Sequence, residues 1–99
     1  MTRIHQLAQF LESIAPLPLQ EAYDNAGLII GQPDWEIRNV LCSLDATEAV
    51  LEEARSCDCN VVVSHHPIVF KGLKKIQGCH FVDRSVIFAI KYGIALYSI

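Results

Sequence analysis

Val61-Val62-Val63 runs into Ser64-His65-His66-Pro67, and this junction constrains the fold more than any other part of the chain. Three consecutive β-branched residues read as a strand buried on both faces, the kind found inside α/β sheets. Pro67 has no N–H for a sheet ladder and biases His66 towards extended backbone, so the strand is predicted to end about there. In a continuing strand, His65 and His66 would point to opposite faces and could not share one ligand. At a strand tip the two imidazoles diverge while staying near each other, which suits two neighbouring metal ions, one per histidine. The alternative from these residues alone is a pair of partly buried histidines bonded to backbone carbonyls.

The flanking pattern extends the picture. Ile4, Leu7, Ala8, Leu11 and Ala15 recur at helical spacing, with Thr2 as N-cap and Pro16 as stop. Pro16 and Pro18 mark a loop. Leu28 to Ile30 reads as a short strand between Gly27 and Gly31, and Ile37 to Leu44 as a second one. Asp45, with Glu48 three residues on, has the spacing of a capping box opening a helix whose apolar face is Ala46, Ala49, Val50 and Ala54. After the valine strand comes a polar loop from Lys71 to His80. A third helix follows over about Asp83 to Tyr92, stopped by Gly93. Ile94 to Ile99 is an apolar final strand.

Strand, helix, strand, helix, strand from residue 37 onward implies crossover connections, so the expected class is α/β with a largely parallel or mixed sheet and flanking helices. Residues 1–99 are too few for more than one domain. In open α/β sheets, ligands sit beyond the carboxyl ends of the strands. Asp45, His65 and His66 fall at such ends. A closing apolar strand without a polar tail leads to the expectation that the chain is truncated there and that this strand lacks cover.

Composition narrows the function. The net charge is −3, with one small basic cluster, Lys71, Lys74 and Lys75, so no basic field for nucleic acid is expected. No apolar run approaches the roughly 20 residues of a membrane span, and the N-terminus lacks a signal-peptide pattern. A cytoplasmic protein is the expectation. Cys57-Asp58-Cys59 is a C-x-C pair and Cys42 and Cys79 are isolated; free thiols without assigned chemistry are expected. His5 and His80 read as ordinary surface residues.

Three blocks carry a resemblance: Asp24-Asn25-Ala26-Gly27-Leu28-Ile29-Ile30-Gly31, then Leu44-Asp45-Ala46-Thr47, then Ser64-His65-His66-Pro67 with Phe70-Lys71 behind it. In this order and spacing the chain resembles the NIF-three-like family of dinuclear-metal proteins, the GTP cyclohydrolase I type 2 homologues, over essentially all 99 residues. The resemblance implies an α/β fold, a homohexamer for the complete protein, and two divalent ions (zinc, iron or manganese) with His65 and His66 as ligands, one to each. It also implies a bridging aspartate, a further histidine and a glutamate beyond residue 99. Asp24 and Asn25 are turn residues that the resemblance places at the rim. Asp45 is either the helix cap or a carboxylate that orients a histidine or metal-bound water.

The implied chemistry is hydrolysis by metal-activated water, acting on a nucleotide or other phosphorylated small molecule. Against it stands a non-catalytic metal-binding assembly or regulatory protein, or an inactive fragment lacking the remaining ligands. The lysine cluster is either phosphate-facing or a solvated loop. An open coordination position separates the two classes.

Overall fold

A computed structural model describes residues 2–15, 27–66 and 76–99 of the protein. The elements are α1 (Ile4–Ile14), β1 (Gly27–Ile30), β2 (Val40–Asp45), α2 (Glu48–Ser56), β3 (Val61–His66), α3 (Phe81–Lys91) and β4 (Ala95–Ser98). The four strands form one mixed sheet in the order β1-β4-β3-β2. β2, β3 and β4 run parallel, with Val40 opposite Val61 and Val61 opposite Ala95. β1 closes the other side of β4 antiparallel, Gly27 opposite Ser98. The expected α/β class with a largely parallel, mixed sheet is realised. Pro16, Pro18 and Pro67 lie outside the described residues.

Period-two alternation along β3 divides the core in two. Val61 and Val63 join Ala95 and Tyr97 beneath Ile4, Leu7, Ala8 and Leu11 of α1. Val62 and Leu96 face the other way, against Leu51 and Ala54 of α2 and Val86 and Ala89 of α3. Fully burying an aliphatic side chain of this size is worth about 1.5–3 kcal/mol, so the two-sided cover explains why the valine run sits mid-sheet.

Several boundaries differ from expectation for identifiable reasons. Arg3, not Thr2, is the N-cap of α1: its backbone N–H donates to Gln6 Oε1 at 2.8 Å. The Thr2 carbonyl instead accepts the N–H of Ile37 at 2.8 Å. β2 begins at Val40 because the preceding backbone is engaged elsewhere. Asn60, which is buried, accepts the N–H of Arg38 on Oδ1 and donates from Nδ2 to the Glu36 carbonyl, both at 2.8 Å.

Asp45 does not cap α2. It is the last residue of β2, and Thr47 takes the cap, its Oγ1 accepting the N–H of Val50 at 3.3 Å. The buried stripe of α2 is Leu51 and Ala54, while Ala49 is exposed on the opposite side of the helix. α3 starts two residues earlier than expected, at Phe81. It ends as expected before Gly93, whose φ of +65° is the left-handed conformation of a C-terminal glycine.

The last strand is covered, contrary to expectation. Ala95, Leu96, Tyr97 and Ser98 are all buried, between β1 on one side and β3 on the other. Gly31, at the exit of β1, makes that close packing possible: a Cβ there would stand 2.7 Å from Ala95 Cβ.

Candidate metal-binding edge

Parallel pairing of β2 with β3 places Asp45 directly opposite His66, each the last residue of its strand. A carboxylate-bearing and an imidazole-bearing residue thus form the terminal rung at the carboxyl edge of the sheet, where ligands bind in α/β proteins. His65, one residue earlier, is exposed. The backbone positions of Asp45, His65 and His66 thus fall at one end of the β2–β3 pair. Asp24, Asn25, Lys71, Lys74 and Lys75 lie outside the described residues. His5 is exposed on α1, and His80 is exposed as the N-cap of α3.

Just behind the Asp45–His66 rung runs a row of hydroxyls. Ser43, Ser64 and Ser98 are successive partners across β2, β3 and β4. Ser43 Oγ donates to the Asp45 carbonyl at 2.8 Å. Sequence reasoning passed over this row, yet each serine has the same signature: a polar residue that follows an apolar run near the end of a parallel strand.

A second feature it missed is Asp83, buried in the first turn of α3. Its carboxylate accepts backbone N–H groups of Gln77, Gly78, Cys79 and His80 at 2.8–3.2 Å, and so gathers residues 77–80 into a tight turn. Burial alone pushes this carboxyl up, but the four donors outweigh it and hold it at about 2. The His80-x-x-Asp83 spacing of a capping box was the available signal. A surface cavity between α2 and α3, lined by Glu48, Arg84, Phe88 and Tyr92 among others, shares no residue with the Asp45–His66 rung.

A mixed sheet covered on both faces, with histidines at the end of its central parallel strand, defines an α/β protein. The chain belongs to the Duf34/NIF3 (NGG1p interacting factor 3) family, whose pattern matches residues 2–99. A Clostridium perfringens protein named GTP cyclohydrolase 1 type 2 homolog is 34% identical over 96 residues, which is 97% of this chain and 37% of that protein. The chain therefore spans little more than a third of the length of this curated relative. The crystal structure of a Staphylococcus aureus protein superposes with a TM-score of 0.92 at 33% identity, covering 98% of this chain and 28% of that one. A Bacillus cereus protein related to NIF3 gives 0.90 at 35% identity, covering 99% and 27%.

Proposed function

We propose that this chain carries part of a dinuclear divalent-metal centre, with His65 and His66 each a ligand to one ion. The protein would act as a metal-dependent hydrolase on a nucleotide or other phosphorylated small molecule. The observation that carries this reading is the Asp45–His66 rung at the carboxyl edge, with an exposed His65 beside it. The name borne by the curated relatives supports the substrate class. Imidazole accepts zinc, iron(II) and manganese alike, so the donor type fits without selecting the metal.

Among the described residues no three His, Cys, Asp or Glu groups converge, whereas a stable site takes three or four protein ligands. When bound, such ions activate water and polarise a substrate oxygen. The chain's own part is to present imidazoles at a strand tip fixed by a two-sided core. Asp45, across the β2–β3 pair from His66, is suitably placed to orient a histidine or a water. The second reading is a non-catalytic metal-binding assembly or regulatory protein. Under either reading the complete protein would be a cytoplasmic homohexamer, as the family resemblance implies.

The test loads the purified protein with zinc, iron(II) or manganese and measures bound metal for the parent, His65→Ala and His66→Ala, alongside hydrolysis of nucleotide substrates. Each substitution should lower the metal content. A doubly substituted protein that retains all its metal would sink the site, and metal binding without turnover would favour the second reading.

A further inference from the structure

Two adjoining surface cavities between α2 and α3 share Phe88 and Tyr92, and so make one groove with an aromatic floor. The two ring centroids lie 4.6 Å apart, and the Arg55 guanidinium is turned onto the Tyr92 face at 3.9 Å. The banks carry opposite charge. Glu48 and Glu52 line the α2 bank one turn apart, an i, i+4 pair of like charges that weakens a helix on its own. Arg84 and Lys91 line the α3 bank two turns apart, with Ile87, 39% exposed, between them. Arg84 approaches Glu48 across the groove at 3.6 Å, yet both side chains keep 40% or more of their surface in solvent.

α2 and α3 each link parallel strands and pack on the same face of the sheet, so they run in the same direction. A two-fold axis along the groove therefore lays α2 of one copy over α3 of the other. Acidic bank then meets basic bank twice, and the apolar floor is enclosed between them. A two-fold axis across the groove would set like charges together. An uncharged partner would leave both banks unmet, and a partner of one sign would be repelled by one of them. We infer that the α2–α3 groove docks a second copy of this chain, with Glu48 and Glu52 of each copy facing Arg84 and Lys91 of the other. The inference rests on the homo-oligomer reading above, for which it names a surface, and does not depend on the metal reading.

Sedimentation velocity over a range of concentrations tests this on the parent, on Glu48→Lys/Glu52→Lys and on Arg84→Glu/Lys91→Glu, with melting to confirm that each variant is folded. Each double variant presents a face of one sign and should associate with itself at least about tenfold more weakly than the parent. Mixing the two should restore association, because an all-basic face then meets an all-acidic one. Should a double variant fail to melt cooperatively, Glu52→Lys and Lys91→Glu are read in the same way. A parent that stays monomeric at every concentration overturns the inference. Variants that associate as the parent does overturn it too, while leaving room for a homo-oligomer built on another surface. A mixture that stays dissociated would trace the loss to something other than pairing between the banks, and so defeats it as well.

Discussion

Asp83 Oδ1 accepts the backbone N–H of His80 at 2.8 Å, and the same carboxylate collects three further N–H groups through Oδ2. A single buried anion thereby sets the entry into α3. Its carboxyl is held at about 2, below the ordinary 3.8. A folded value below the unfolded one contributes stability that is present above pH 4 and lost as pH falls towards 2. Asp83→Asn is therefore expected to be less stable than the parent in urea titrations at pH 7, with the gap closing near pH 2.5. A gap that stays constant across this range would contradict the assignment.

Asn60 joins the start of β3 to the segment before β2 by two side-chain bonds. Asn60→Ala leaves the Arg38 N–H and the Glu36 carbonyl without those partners, at a cost of about 1–3 kcal/mol for each buried group left unsatisfied. In a domain of this size each kcal/mol lowers the melting temperature by roughly 4–8 °C. Calorimetry showing no drop would mean that water replaces both bonds without penalty.

Asp58 has a φ of +57°, the left-handed conformation that closes α2 and that glycine adopts without penalty. Asp58→Gly should relieve backbone strain, while losing an exposed ion pair with Arg38 worth about 0–1 kcal/mol. Asp58→Asn tolerates the same conformation. Asp58→Asn loses the same ion pair, so chemical denaturation should find both variants within about 1 kcal/mol of the parent.

Metal loading of this 99-residue chain should be weak or limited to one ion. His65 and His66 offer one bond each, against three or four for a stable site. Metal analysis after chelation and reloading measures this directly, and two tightly held ions per chain would mean that ligands within residues 1–99 have been overlooked.

The central strand was legible because a β-branched run marks it. Asp45 was half legible. Its position at the strand end was anticipated, but Asp45 and Thr47 both offer cap chemistry ahead of Glu48, and only β pairing out to His66 assigns Asp45 to the strand. The stripe of α2 was legible in the main: Ala46, Val50 and Ala54 pack in the core as expected, Leu51 joins them, and Ala49 faces out. The cover over β4 could not be read locally. It comes from β1, and nothing in Gly27–Ile30 announces an antiparallel partner far along the chain.

That same β1–β4 pairing shapes how the molecule folds. β2, α2 and β3 are neighbours in sequence and can associate through short loops, whereas Leu28 must find Tyr97 near the other end of the chain. Closing so long a loop is entropically costly before any contact rewards it, and non-local pairing slows folding. The β2–α2–β3 unit closes shorter loops than the β1–β4 pair, and on contact order it is expected to form before β1 docks. The strand that carries His65 and His66 belongs to that local unit.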